Sequence, residues 1–315
     1  MTPNKKTKVI NITGWGRNGS TILGKILGEI NGFFFGGEIR TIWNKVLPDN
    51  RLCGCGTPIK ECNLWKSVFQ EAFNGIENVN IDKMKSLCEK YLRNKNIPCI
   101  FLPGVKSFIN SNLSFYIKNH GKLLNTLSNV SNSRVIIDTS KSPIYGLLLS
   151  QIEEVDPYFI HLVRDPRGIA YSRQKKMLVQ PDENRPLVMK QENPVLSSLL
   201  WNLRNTAAEH LCKNMKNKYL FFKYDDFILN PKATITKILS LVNEETSSLP
   251  FISDYEVKLG ANHSVWGNPN RFESGIVKLK LDEEWKEKLN KKDRLISTLI
   301  TFPLLRKYGY KLIED

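Results

Sequence analysis

The strongest constraint on the fold is a repeated alternation of short apolar segments with signals for helix starts. Asn193-Pro194 and Asn230-Pro231 are two such signals. Asparagine accepts hydrogen bonds from the free N–H groups of a first turn, and proline has no N–H group to satisfy. Strand followed by helix, repeated, predicts an α/β fold with a parallel β-sheet flanked by helices. The predicted strands are residues 8–13, 134–138, 158–163 and 219–223, and the predicted helices are residues 22–30, 167–178, 194–216 and 232–242.

One long stretch, residues 64–133, is helical in pattern and lacks the alternation of strand and helix. We expect it to form a helical insertion within a single domain that spans residues 1–315. The composition, 41% hydrophobic and 24% charged, is that of an ordinary globular protein. A chain of 315 residues buries enough surface to fold without a disulfide or metal staple.

The chain carries 46 Lys and Arg against 31 Asp and Glu, a formal charge of +15. Such an excess predicts an anionic partner, which could be a nucleic acid, a membrane surface or a polyanionic small molecule. No segment has the apolar length of a signal peptide or a membrane span. Six cysteines in a chain of this length indicate reduced thiols. We therefore expect a cytoplasmic protein.

Three of the cysteines, Cys53, Cys55 and Cys62, lie close together in the sequence. A zinc site needs a fourth ligand and usually cysteine pairs two to four residues apart. The nearest downstream thiol is Cys88, and the spacing differs from that of a zinc ribbon. The sequence favours a compact turn with buried thiols over a zinc site, and we expect no metal.

The loop after the first predicted strand runs from Gly14 to Thr21 and has the spacing of a phosphate-binding loop. Ser20 occupies the position at which NTPases have lysine, which weakens an ATPase or GTPase interpretation. Glycines such as Gly19 let successive N–H groups turn toward an anion, and the following helix points its positive end at it. Arg17 can supply the missing charge. A glycine-rich turn without a ligand is the alternative.

Polar residues also follow the later strands. Arg164 comes directly after the third predicted strand, and Ser172 lies eight residues further on, so the two could hold a second phosphate. Asp138 ends the second predicted strand and could hold magnesium in a kinase. The residues alone therefore leave a phosphotransferase open.

Taken together, these segments resemble sulfotransferases that use 3′-phosphoadenosine 5′-phosphosulfate (PAPS), in their bacterial and tyrosylprotein-type branches. The resemblance covers residues 9–310 except 66–133, and it implies a P-loop-like sulfotransferase fold. The matching segments are residues 16–21 (the 5′-phosphosulfate loop), Arg164 with Ser172 (the 3′-phosphate pair), and residues 53–65, 138–143, 222–231 and 263–272.

In this family the sulfuryl group passes directly from PAPS to an acceptor hydroxyl or amine, without a metal. The resemblance implies that Arg17 and the N–H groups of residues 18–21 stabilise charge on the phosphate oxygens. Lys141 could reach the same region from a neighbouring strand end. Residues expected to bind PAPS or its product PAP are Trp15, Gly16, Arg17, Asn18, Gly19, Ser20, Thr21, Arg164, Ser172, Tyr224, Gly267, Asn268 and Arg271.

Within that set, Trp15 and Tyr224 are expected to contact adenine, and Arg271 is expected to cover the nucleotide with the 267–272 loop. The resemblance to tyrosylprotein-type enzymes implies that Glu38 is the base, and an apolar surround such as residues 33–35 would raise its pKa. A structural Glu38 that caps a helix or pairs with Arg40 is the alternative. His263 is the second candidate for the base. The other histidines are expected elsewhere, His161 in the core and His120 and His210 on polar helical stretches.

The expected acceptor is a small molecule, a secondary metabolite, with a guanidinium alkaloid of the saxitoxin type as a specific hypothesis. Its pocket is expected from residues 43–48 and 66–133. A small-molecule kinase and a nucleic-acid-binding module are the rival functions. We expect neither nucleic acid nor a membrane as a partner, and a homodimer is one assembly open to the chain.

Overall fold

The computed structural model describes residues 6–176, 178, 188–189, 191–213 and 215–312. Its centre is a parallel sheet of five strands in the order β2-β3-β1-β4-β5. This confirms the predicted α/β class. The strands are β1 (Thr7–Thr13), β2 (Phe33–Gly37), β3 (Val135–Lys141), β4 (Val155–Val163) and β5 (Tyr219–Lys223).

Helices cover both faces of the sheet. Neighbouring residues of each strand point to opposite faces, so each strand contributes apolar side chains to both. In β1, Val9 belongs to one apolar core and Ile10 to the other. The α-helices are α1 (Ser20–Gly28), α2 (Asn63–Phe73), α3 (Ile81–Tyr91), α4 (Val105–Val130), α5 (Pro143–Leu149), α6 (Pro166–Gln174), α7 (Pro194–Cys212), α8 (Tyr224–Leu229), α9 (Pro231–Leu241), α10 (Glu284–Lys288) and α11 (Lys291–Lys307).

The segment predicted as a helical insertion contains α2, α3 and α4 and a 3-10 segment, Asn94–Phe101. These elements pack on one face of the sheet through residues such as Trp65, Met84 and Leu127. An antiparallel pair, β6 (Glu256–Leu259) and β7 (Gly275–Lys278), lies outside the main sheet. Of the helices in the described residues, none combines the length and the apolar character that crossing a bilayer requires.

Two differences from the sequence-based expectations affect the site. The strand β2 was missed, because Phe33–Gly37 has no alternation of polar and apolar residues and ends in two glycines. The strand β3 continues to Lys141, so Asp138 lies inside the strand and not at its end. Both differences concern residues at the carboxyl edge of the sheet, where ligands bind in folds of this kind.

Candidate active site

The loop between β1 and α1 is held by backbone conformations that most side chains avoid. Gly14 has φ +126°, Gly19 has φ +88° and Arg17 has φ 70°. Asn18 is fully buried, and its Nδ2 donates to the carbonyl of Leu162 in β4 at 2.7 Å. The side chain of Asn18 therefore fixes the loop to the sheet and does not line the cavity beside it.

That cavity, about 300 Å³ in volume, lies at the carboxyl ends of the strands. It brings together most of the residues that the sequence assigned to nucleotide binding. Its walls are Gly16, Arg17, Gly19, Ser20, Thr21, Ile22, Glu38, Lys141, Arg164, Ser172, Arg173, Met189, Tyr224, Asn268, Asn270 and Asp282, and we call it the loop cavity.

Three guanidinium groups concentrate positive charge on the loop cavity. Arg17 Nε donates to Ser172 Oγ at 2.8 Å, and Arg164 donates to the carbonyl of Arg17 at 3.1 Å. Burial, and then Arg173 and Arg164, lower the pKa of Arg17 to about 10. Arg164 also pairs with Asp282 at 2.8 Å. Among the described residues, Asp282 pairs with Arg164 and Glu192 pairs with Arg173, and the concentration of three guanidiniums beside these carboxylates favours an anion site.

Arg173 is the member of this group that sequence reasoning missed. It lies one residue after Ser172 in α6, and that position beside a predicted phosphate ligand was the available signal. Its guanidinium pairs with Glu192 at 3.2 Å and lies 4.0 Å from the centroid of the Trp15 ring. Arg173 Nε is buried and has no hydrogen-bond partner among the described residues. An unsatisfied buried donor of this kind favours an anionic ligand.

Glu38 and Lys141 form an ion pair beside the loop, with 2.7 Å between Oε1 and Nζ. The Nζ of Lys141 also donates to the carbonyl of Thr139 at 2.6 Å. Burial by itself would raise the pKa of Glu38, but Lys141, and then Lys45 and Arg40, lower it below its ordinary value. The expected rise in this pKa was therefore wrong, because the apolar run before Glu38 is outweighed by three cations.

A second cavity of about 380 Å³ adjoins the loop cavity, and we call it the outer cavity. The two cavities share Gly16, Glu38, Lys141, Arg173 and Met189. The ion pair therefore stands at the boundary between two spaces. The outer cavity is lined by Trp15, Gly16, Glu38, Arg40, Lys45, Asn94, Ser140, Lys141, Arg173, Val188, Met189, Glu192, Arg204, Trp266 and Gly267.

The two aromatic residues assigned to adenine lie in different places. Tyr224 lines the loop cavity, with the Arg164 guanidinium 4.6 Å from its ring centroid. Trp15 lines the outer cavity, with the guanidiniums of Arg173 and Arg204 within 4.0 and 4.8 Å of its ring centroid. Only Tyr224 is positioned for the predicted contact with a nucleotide in the loop cavity.

The sequence profile described as "Sulfotransferase family" matches residues 10–248, about three-quarters of the chain. The chain belongs to the sulfotransferase family. A solved "Sulfotransferase Domain from the Curacin Biosynthetic Pathway" is 14% identical, with a TM-score of 0.54, over 98% of this chain and 100% of that one. A "Sulfotransferase Domain from the Synechococcus PCC 7002 Olefin Synthase" is 19% identical, with a TM-score of 0.51, over 99% and 98% of the chains. No curated protein sequence matches the chain significantly.

These likenesses confirm the sulfotransferase fold. The phosphotransferase alternative loses its main support in this sulfotransferase, because Asp138 is fully buried and does not line the loop cavity. Its carboxylate accepts hydrogen bonds from the backbone N–H of Ser140 at 2.6 Å and from the Tyr145 hydroxyl at 3.0 Å. His120, expected on a polar stretch, is also fully buried and lies 2.7 Å from the same hydroxyl. Asp138 therefore belongs to a buried polar network in the sulfotransferase core.

The late segment of the sulfotransferase divides between the cavities and the interior. Asn268 lines the loop cavity, and Gly267 lines the outer cavity. Arg271 is 1% exposed, and its guanidinium donates to the carbonyls of Ser264 at 2.6 Å and Leu52 at 2.7 Å. The structure does not fit the expected lid role of Arg271, since these carbonyls hold its side chain in the interior.

The second candidate for the base, His263, lies outside both cavities. Its Nδ1 is 3.3 Å from Cys62 Sγ and 3.6 Å from Cys53 Sγ. A histidine 201 residues after Cys62 therefore lies beside the cysteines, which the spacing of the cysteines alone did not indicate. Of the two candidates for the base, Glu38 lines both cavities and His263 lines neither.

Proposed function

We propose that this sulfotransferase transfers the sulfuryl group of PAPS to a hydroxyl or amine of a small-molecule acceptor. The Glu38–Lys141 ion pair carries the proposal, because it stands where the cationic loop cavity meets the outer cavity. Direct transfer between two bound molecules requires a proton acceptor and a positive charge at that boundary. The nucleotide would occupy the loop cavity, and the acceptor would occupy the outer cavity.

The residues of the loop cavity fit a nucleotide with phosphates at two ends. When bound, PAPS would supply the sulfuryl group and leave as PAP. Arg17 and the N–H groups at the start of α1 would hold the 5′ end, since a helix start with a glycine-rich loop binds anions. Arg164 and Ser172 would hold the 3′-phosphate, and the unsatisfied Nε of Arg173 adds a further donor.

Glu38 would accept the proton of the acceptor as its oxygen or nitrogen attacks. Lys141 keeps Glu38 ionised near neutral pH, because the ion pair contributes to its lowered pKa. The same ammonium group lines the loop cavity, so it can also offset negative charge that develops on the leaving side. Arg17 would contribute to the second task from within the loop.

The charges on the walls of the outer cavity indicate which class of acceptor this cavity favours. Among the described residues of its lining, cations outnumber carboxylates, which disfavours a guanidinium acceptor because like charges repel. We therefore propose a neutral or acidic hydroxyl compound, and the guanidinium alkaloid stays a prediction that these charges weigh against. Secondary metabolism is supported by the solved domain from the curacin biosynthetic pathway. The charged side chains on the wall are Arg40, Lys45, Lys141, Arg173 and Arg204 against Glu38 and Glu192.

Binding of PAP tests the nucleotide site without knowledge of the acceptor. Calorimetry in the presence of EDTA should show binding by the wild-type protein. Arg164→Ala should weaken that binding tenfold or more, because a charge-assisted contact to phosphate is lost. Lys175→Ala is the matched control, since Lys175 pairs with Glu284 at 2.9 Å and does not line the loop cavity. Equal affinity of the wild type and Arg164→Ala, or ATP binding that requires magnesium, would overturn the assignment.

Transfer itself is tested by incubating the protein with PAPS and a panel of hydroxyl and amine compounds. Mass spectrometry should detect an added sulfo group on an acceptor. With that acceptor, Glu38→Gln should lower kcat by ~100-fold or more at unchanged PAP affinity, as expected for loss of a general base. Glu192→Gln, which changes the other carboxylate of the outer cavity, is the control. Turnover of Glu38→Gln within about tenfold of the wild type would refute this role.

A further inference from the structure

Four side chains that the proposed reaction does not use converge beside the active site. Cys53, Cys55 and Cys62 come from the segment between β2 and α2, and His263 comes from the segment after β6. The three Sγ atoms and one imidazole nitrogen all lie within 4.8 Å of one another. Histidine and cysteine side chains converge in this way at metal sites.

Three of the six distances between these atoms match the edges of a tetrahedron around zinc, and all six are within 4.8 Å. With Zn–S bonds of about 2.3 Å and Zn–N bonds of about 2.0 Å, tetrahedral ligands lie about 3.8 Å apart for two sulfurs and about 3.5 Å apart for sulfur and nitrogen. Cys55 Sγ and Cys62 Sγ are 3.8 Å apart. His263 Nδ1 lies 3.6 Å from Cys53 Sγ and 3.3 Å from Cys62 Sγ.

We propose that Cys53, Cys55, Cys62 and His263 bind one zinc ion in a closed structural site. Four protein ligands fill the tetrahedral coordination of zinc and leave no open position for a substrate. The site is distinct from the active site, because none of the four side chains lines the loop cavity or the outer cavity. His263 also lies beyond the span matched by the family profile, which ends at residue 248.

The surroundings suit the charge of such a site. Three thiolates and Zn²⁺ carry a net charge of −1. The guanidinium of Arg271 is buried nearby on the carbonyls of Leu52 and Ser264, which adjoin Cys53 and His263 in the chain. Arg271 has no carboxylate within ion-pair distance among the described residues, so a negative metal site would offset its buried charge. Cys62 also precedes α2, and the start of a helix favours a thiolate.

The backbone around the four ligands is already fixed. The N–H of Gly54 donates to the carbonyl of Ser264 at 2.8 Å, and Trp65 Nε1 donates to the carbonyl of His263 at 3.0 Å. The Cys53 N–H donates to the carbonyl of Thr57 at 2.8 Å and closes the turn that presents Cys55. The metal would therefore join two segments whose approach the backbone has prepared.

The segment that carries His263 also contacts the backbone beside the proposed base, Glu38. Two residues after His263, the N–H of Val265 donates to the carbonyl of Gly36 at 3.0 Å. The N–H of Glu38 donates to the carbonyl of Trp266, also at 3.0 Å. A zinc ion at the four ligands would hold the 262–266 segment, and through it the backbone of Glu38. The metal would thus have a positioning role.

The test is the metal content of the full-length protein, purified under reducing conditions and measured by plasma mass spectrometry. We expect about one zinc per chain in the wild type and less than about 0.1 in Cys62→Ala. Cys99→Ala is the matched control, since Cys99 is partly exposed and lies outside the cluster. Replacing zinc with Co²⁺ should produce visible ligand-field bands of tetrahedral cobalt and near-ultraviolet thiolate charge transfer.

A second variant keeps the proposal testable if Cys62→Ala fails to fold. His263→Cys should retain about one metal per chain as a four-cysteine site, with stronger thiolate charge transfer in its cobalt form than the wild type. A reduced, folded wild type that contains no zinc and takes up no Co²⁺ would overturn the proposal. So would a Cys55–Cys62 disulfide found by intact mass in protein that contains no metal.

Discussion

Arg17 and Lys141, two cations that line the loop cavity, both have left-handed backbone conformations, with φ 70° and 57°. This conformation costs a residue with a side chain about 1–2 kcal/mol. Strain of that kind persists only where the surroundings hold it in place. At Lys141 the ion pair with Glu38 and the bond to the Thr139 carbonyl do so. The strained backbone therefore directs the ammonium group back toward the boundary between the cavities.

The first prediction concerns the pH dependence of Glu38. Lys141 is the cation that most lowers the pKa of Glu38, against a burial effect that raises it. Lys141→Met should therefore raise this pKa, and the acidic limb of kcat/KM should move to higher pH because ionised Glu38 is the active form. Lys45→Met should give a smaller shift in the same direction. If the acidic limb of kcat/KM does not move in Lys141→Met, the ionisation of Glu38 does not control the rate.

Among the secondary-structure elements, the loop before α1 requires glycine at position 19 for two reasons. Gly19 has φ +88°, and a Cβ there would lie 2.6 Å from the Tyr224 ring. Tyr224 begins α8, directly after β5, so this close approach brings two strand ends together at the loop cavity. A side chain at position 19 would separate them.

The second prediction separates the effect of the Gly19–Tyr224 contact from the effect of the unfavourable φ at position 19. Gly19→Ala should weaken PAP binding tenfold or more in calorimetry, because Tyr224 must move. Gly104→Ala is the matched control: Gly104 also precedes a helix with φ +75°, but a Cβ there meets nothing within 4 Å. Both variants should lose about 1 kcal/mol of unfolding free energy from the unfavourable φ. Equal PAP affinities would show that the Tyr224 contact does not shape the site.

The elements also show where sequence patterns succeed. Four of the five strands and the helices α1, α6, α7 and α9 were predicted, because β-branched runs and Asn-Pro starts are local signals, but α5 after β3 and α8 after β5 were not. β2 was missed, since a fully buried strand of three phenylalanines and two glycines has no alternation. The α6 helix ends at Gln174, four residues before the predicted end, and residues 177 and 179–187 lie outside the described residues.

Across the whole molecule, the charge of +15 does not concentrate in the active site. Among the described residues, four cations line the loop cavity, and others pair with carboxylates on the surface, as Lys232 does with Asp254 at 2.8 Å. The interior also holds histidines whose burial favours the neutral form. Burial lowers the pKa of His161 to about 4 and that of His120 to about 3. Stability in acid depends on these groups.

The third prediction is a loss of stability in weak acid. A histidine with a folded pKa near 4 and an unfolded pKa near 6.5 stabilises the fold above pH 6.5, and this contribution is lost as the pH falls toward 4. At pH 5 the loss from His161 is about 2 kcal/mol of unfolding free energy. Between pH 7 and 5, urea unfolding of His161→Gln should therefore show a smaller loss than the wild type by about that amount.

Asp138 acts in the opposite direction, since burial raises its pKa to about 6 and its protonation in acid stabilises the folded state. Asp138 is present in both the wild type and His161→Gln, so its effect on the free energy of unfolding cancels when the two are compared. His210→Gln is the control, because His210 is exposed. A wild type and a His161→Gln variant with the same pH dependence would show that His161 is not neutral in the folded protein.

The fold class, the glycine-rich loop with Arg17, and the residues Arg164 and Ser172 after a strand could be predicted from the amino-acid sequence, because they depend on residues close together in the chain. Which side chains meet depends on the folded arrangement. It placed Glu38 against Lys141 between two cavities, added Arg173, and moved Arg271 and Asp138 into the interior. It also brought His263 to three cysteines some 200 residues away in the chain. The physical reason is that such contacts form through strand order and packing between distant segments, which no local spacing encodes.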